Sequence, residues 1–125
     1  MSLEFRTGVF QSGAIKYEKL FFDDKPYGTW RIYQENGKLI EEFSYDINGK
    51  LNGLHRKWHH NGILFTESFF KNDLHHGITR EWYENGNISY EANYEEGEVK
   101  GISRRWSQNG TLLVEKFYCG TENGV

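Results

Sequence analysis

Four kinds of side chain in this 125-residue chain have the types and spacings to do chemistry: histidines, a recurring arginine–glutamate pair, three evenly spaced tryptophans and one cysteine. His55 and His59 are an even number of residues apart, so on a strand both face one side, and His75 and His76 follow further on. A zinc site takes about four ligands, usually with cysteine or carboxylate help. Cys119, the single cysteine, lies much further along the chain, so these histidines are expected to be solvated polar surface and no metal is expected. Arg31, Arg56, Arg80 and Arg104 recur with Glu42, Glu67, Glu91 and Glu115 at one fixed spacing. Acid–base catalysis needs one distinct pair in a pocket. A pair repeated along the chain is expected to hold repeats together instead. No catalytic residue is therefore assigned, and an enzyme is not expected.

The tryptophans at 58, 82 and 106 could stack bases, but such platforms normally sit beside a basic surface. The formal net charge is −3, and each neighbouring arginine is matched by a glutamate, so no nucleic-acid partner is expected. No glycine-rich loop follows a strand and opens a helix, so no nucleotide or other cofactor is expected. One cysteine excludes an intramolecular disulfide and favours a reducing, cytoplasmic setting. Residues Met1 to Arg6 lack an apolar run of signal-peptide length, and no stretch approaches the ~20 apolar residues of a membrane helix.

What must position these residues is a tandem repeat. Asn-Gly occurs at Asn36-Gly37, Asn61-Gly62, Asn85-Gly86 and Asn109-Gly110, with Ser12-Gly13 one period earlier. The spacings of these glycines are 24, 25, 24 and 24. A second glycine precedes each of the last four, at Gly28, Gly53, Gly77 and Gly101, and the arginine follows it. Aromatics recur after the arginine (Tyr33, Trp58, Trp82, Trp106) and after the glutamate (Phe21, Tyr45, Phe70, Tyr94, Tyr118). Self-similarity of this period signals a repeat architecture. Nine Phe, eight Tyr and four Trp beside 14 Gly and one Pro suit punctuated strands. Each half-unit has strand length. The fold expected is all-β: a single-layer antiparallel meander of tandem β-hairpin repeats of about 24 residues, with nine or ten strands. It forms one domain over 1–125, with units near 4–27, 28–52, 53–76, 77–100 and 101–125.

Asn-Gly between apolar runs predicts a two-residue type I′ turn. That register sets His60 opposite Ile63, Trp58 opposite Phe65, Arg56 opposite Glu67 and Leu54 opposite Phe69. The six-residue connector from Lys71 to His76 then sets Phe70 opposite Gly77 and Glu67 opposite Arg80. One row across the sheet becomes Glu18, Arg31, Glu42, Arg56, Glu67, Arg80, Glu91, Arg104, Glu115, a ladder of alternating charge. The other face carries aromatics alternating with glycines, each ring expected over bare cross-strand backbone. The remainder of that face varies between repeats, so specificity is expected there. Tyr17, Trp30, Ile32 and Phe43 cluster on it as the partner-binding patch, or pack under residues 4 to 12. The end strand, Leu112 to Tyr118, is an apolar edge expected to be covered, with a homodimer through it as one route.

These columns resemble the MORN-repeat-variant family, whose unit reads roughly G-x-x-x-x-aromatic-x-x-N-G-x-L-x-x-E-x-x-aromatic. Here that is Gly53, Trp58, Asn61-Gly62, Leu64, Glu67 and Phe70, then Gly77, Trp82, Asn85-Gly86, Ile88, Glu91 and Tyr94. The resemblance covers residues 13 to 118 and implies an elongated single-layer sheet with a binding or scaffolding role and no shared catalytic residues. Many bacterial members resembling it are labelled YwqK-type antitoxins, which implies a toxin as protein partner. The alternative it implies is a MORN-like scaffold touching membrane phospholipids.

Overall fold

The computed structural model describes residues 1–119. Ten strands form one antiparallel meander, each beside its chain neighbour: β1 (Leu3–Val9), β2 (Ile15–Phe22), β4 (Gly28–Tyr33), β5 (Leu39–Tyr45), β6 (Gly53–Trp58), β7 (Leu64–Lys71), β9 (Gly77–Trp82), β10 (Ile88–Glu95), β11 (Glu98–Trp106) and β12 (Leu112–Tyr118). Two short pieces, β3 (Lys25–Pro26) and β8 (Leu74–His75), pair off this path with β2 and β7. The described residues contain no helix. The all-β hairpin meander expected from the repeat is the fold.

The Asn-Gly turns are not of the expected type. At Asn61-Gly62 the Gly62 N–H donates to His59 O and the His59 N–H to Ile63 O. Gly62 is left-handed at φ 90°, while Asn61 is not among the residues with positive φ. This is a three-residue loop, a type I turn closed by a left-handed glycine, and not the two-residue type I′ turn. Trp58 is therefore opposite Leu64, not Phe65. Phe65 is then an extra residue, and the register returns to Lys57 opposite Thr66 and Arg56 opposite Glu67. Four other hairpins carry the same slip, at Lys16, Ile40, Ser89 and Leu113. One residue added in the loop and one bulged in the strand cancel, so the charge row keeps its alignment.

Three of the four polar connectors hold type I′ turns instead, while the fourth, Asp46 to Gly49, is again a turn closed by a left-handed glycine. Asn72 and Asp73 both have positive φ, at 52° and 71°, as do Asp23 with Asp24 and Glu96 with Gly97. The six-residue connector is thus a tight hairpin, with Lys71 opposite Leu74 and Phe70 opposite His75 rather than Gly77. Pairing resumes at Glu67–Arg80 only because the chain between them kinks at Gly77, φ 107°. Gly28, Gly53 and Gly101 kink likewise, at 67°, 101° and 77°. The glycine column exists for this backbone angle, which side chains with a Cβ rarely adopt. At Gly53 and Gly101 a Cβ would meet nothing within 4 Å, so no ring covers them. At Gly77 the Phe69 ring is in ordinary contact with that position, and at Gly8 of β1 the Tyr17 ring lies on the backbone and fills the space a Cβ there would need.

The two faces are unequal. Among the described residues, Ala92, Ser68, Thr79, Ser103 and Tyr90 are the buried ones, and all alternate with the charged row, so they share the opposite face. A single layer has no second layer to bury against. Side chains there are shielded by longer neighbours, as the Tyr90 ring is by the Arg105 guanidinium 4.3 Å from its centroid. The charged face leaves Phe69, Ile78, Ile102 and Phe117 exposed.

Candidate recognition surfaces

The charged row is built from hairpins of the Asn-Gly type. In each, an arginine Nε donates to the glutamate opposite: Arg31 to Glu42 at 2.8 Å, Arg56 to Glu67 at 3.0 Å, Arg80 to Glu91 at 2.8 Å and Arg104 to Glu115 at 2.7 Å. Across repeat boundaries the backbones are also in register, Glu42 with Arg56 and Glu67 with Arg80. Only Arg104, 3.8 Å from Glu91, makes an ionic contact there among the described residues. Glu18 ends the row differently, accepting a hydrogen bond from the Tyr33 hydroxyl.

The expected partner-binding residues come together. Tyr17 pairs with Ile32 and Trp30 with Phe43, on neighbouring strands. The Lys19 ammonium lies 4.3 Å from the Tyr17 ring centroid and 4.9 Å from that of Trp30. Trp30 is fixed by its indole N–H, donated to Leu20 O at 2.9 Å, and by three rings: Phe21 at 5.3 Å, Phe43 at 6.0 Å and Tyr45 at 4.9 Å. Part of the cluster does pack under β1: Tyr17 sits on Gly8, and Arg6 lies 4.1 Å over Phe21. All four residues are half-buried.

From this cluster a rib of mutually tilted rings runs along the same face through Phe43, His55, Phe70, His75 and Tyr94, with centroids 4.3 to 5.6 Å apart. The histidines are thus placed individually. His55 hydrogen-bonds Glu41 at 2.8 Å, which holds that carboxyl below its usual range. Burial, with His55 nearby, pushes the His75 imidazole pKa down. His59 lies beyond the end of β6, in the turn, and its Nε2 is 2.7 Å from Trp82 O of the next repeat. It does not share a strand face with His55. Among the described residues, no three His, Cys, Asp or Glu side chains converge on one point.

Sequence reasoning missed what the asparagine of Asn-Gly does. The Asn61 Oδ1 accepts the Ile63 N–H and its Nδ2 donates to Glu84 O at 2.9 Å in the next repeat. Asn85 does the same with Asn87 N–H and Gln108 O. Tyr83, one period after His59, donates its hydroxyl to Trp106 O at 2.6 Å. On the other side, Asp73 exchanges bonds with Leu51 through its N–H and its carboxylate. Between repeats only two residue pairs of β7 and β9 are in ladder register, so these side-chain clips supply hydrogen bonds that the ladder lacks. The recurrence of Asn at these turns was the available signal.

The chain belongs to the MORN repeat variant family: the family model matches residues 26–46, 48–72 and 76–96. Those segments contain the hairpins β4–β5, β6–β7 and β9–β10, and the flanking hairpins β1–β2 and β11–β12 repeat the same bulge. Membership makes the chain a binding or scaffolding module. No curated protein and no solved structure is significantly similar to it.

Proposed function

We propose that this protein is a non-enzymatic recognition module that binds a toxin as its protein partner, in the manner of the YwqK-type antitoxins its repeat resembles, in a reducing cytoplasm. The observation that supports this is the patch of Tyr17, Trp30, Ile32 and Phe43. It is half-exposed, largely aromatic, fixed in place, and lies on the face that varies between repeats outside its glycine–aromatic row. Rigid aromatic anchors bind with little loss of conformational freedom.

Trp30→Ala is the wrong probe of this patch. Removing a ring with one hydrogen bond and three aromatic neighbours costs about 3 kcal/mol or more. Lys19→Glu and Ile32→Ser change its surface and leave the rings in place. The test is co-purification of the tagged chain from its native cell, followed by expression of the captured protein alone. A stoichiometric partner that arrests growth alone, is neutralised by this chain and is lost with Lys19→Glu supports the reading. A partner that is harmless alone removes the toxin. Retention of the partner by both variants removes the patch, and binding to phospholipid vesicles with no protein partner replaces it with the scaffold alternative.

A further inference from the structure

At the Asn-Gly end of the last three repeats the sheet opens into a groove of about 700 Å³, a size typical of ligand sites. Phe65, Trp82, Tyr83, Trp106 and Leu113 supply its apolar lining. It lies in different repeats from the patch of Tyr17 and Trp30. Whereas Trp30 donates its indole N–H to Leu20 O, Trp82 and Trp106 have no acceptor among the described residues and keep free donors beside the groove.

Four backbone carbonyls around the groove already have hydrogen-bond partners. Trp82 O faces His59 Nε2, Trp106 O accepts from Tyr83, and Glu84 O and Gln108 O accept from Asn61 and Asn85. A strand seeking ladder partners finds those carbonyls occupied. The chemistry left over is aromatic surface, indole donors and carboxylate. Glu81 and Glu84 line the groove and form no ion pair with a described residue. Arg105 is held over the Tyr90 ring.

A polyproline II segment fits that remainder. It has no internal hydrogen bonds, its prolines have no N–H to satisfy, and its carbonyls point outward to accept from donors such as indoles. The periods also agree. Trp82 and Trp106 occupy one column on strands β9 and β11 with β10 between, so two strand spacings, roughly 9.5 Å, separate their backbones. One polyproline II turn advances about 9.3 Å. We propose that this groove binds a proline-rich segment of another protein in the polyproline II conformation, with a flanking basic residue beside Glu81 and Glu84.

The experiment titrates the full chain with an oligoproline peptide bearing a terminal arginine, read by tryptophan fluorescence. A glycine–serine peptide of equal length and charge is the control. Saturable binding of the first and not the second is expected. Trp106→Ala weakens it roughly thirtyfold. Trp82→Phe, which keeps a ring and loses the donor, weakens it about fivefold. Glu84→Lys weakens binding of the arginine-bearing peptide and leaves that of uncharged oligoproline unchanged. Urea midpoints check that each variant is folded, and if Trp106→Ala unfolds, the other two substitutions decide. No saturable signal, equal binding of the control, or unchanged affinity in Trp82→Phe and Glu84→Lys overturns the proposal. None of these outcomes bears on the toxin partner, which is tested at Lys19 and Ile32.

Discussion

Arg80 stands between two glutamates of unequal standing, which makes the charged row testable in detail. Its Nε lies 2.8 Å from Glu91 within one hairpin. Its neighbour across the repeat boundary, Glu67, is in backbone register with it but is bound by Arg56 at 3.0 Å. The Arg80 and Glu91 side chains are 39% and 28% exposed, so solvent screens the pair and its coupling is about 0.5–1 kcal/mol. The coupling to Glu67 is expected below about 0.3 kcal/mol. Two double-mutant cycles measure these values: Arg80→Ala with Glu91→Ala, and Arg80→Ala with Glu67→Ala. Urea unfolding with a shared slope is the assay, since repeat arrays can lose two-state behaviour. The hairpin coupling corresponds to roughly 2–5 °C in melting temperature. It should shrink in about 1 M salt, where the screening length falls to ~3 Å. Strict additivity in the Glu91 cycle, or equal coupling in both cycles, would refute the picture of a row assembled from separate hairpin pairs.

Gly53→Ala should cost about 1–3 kcal/mol in urea unfolding, because φ is 101° and the Cβ meets open space, so backbone strain is the only cause; a loss under about 0.5 kcal/mol would contradict this. Asn85→Ala should cost about 1–2 kcal/mol by losing both the Asn87 N–H acceptor and the clip to Gln108 O. Asn85→Asp keeps the acceptor alone and should fall between alanine and wild type, whereas equality with wild type would show that the clip contributes nothing. The burial-lowered pKa of His75 means that the unfolded chain binds its proton first as pH falls. Stability should therefore decline from near pH 6.5, the ordinary imidazole value, towards the lowered folded value. In His75→Phe that part of the acid limb should flatten, and an unchanged urea midpoint profile between the two proteins would exclude His75 as its source.

Much of the architecture is legible in the order of residues alone. Period, strand length and the alternation of Arg31, Glu42, Arg56 and Glu67 specify antiparallel hairpins and their order, because side chains alternate faces and short polar links join neighbours. The clustering of Tyr17, Trp30, Ile32 and Phe43 follows from the same parity. The details of the turns do not. Asn-Gly admits both a two-residue turn and a type I turn closed by glycine, and only the bulge at Phe65 distinguishes them, since it restores the same register downstream. A difference of one residue in the loop is thus cancelled by one in the strand, leaving Arg56 opposite Glu67 in either case.

What the sequence by itself determined, then, is the repeat, the strand order and the charge row, all properties of local periodicity. The tertiary structure decided which face is buried, for a single sheet shields small side chains such as Ala92 only beneath taller neighbours drawn from other strands. It also decided that Asn61 and Asn85 tie one repeat to the next, and that Trp82 and Trp106 line a groove while Trp30 is fastened to Leu20. Those outcomes depend on contacts between different strands, ten positions apart for Trp30 and Leu20 and 23 for the asparagine clips, which periodicity does not encode.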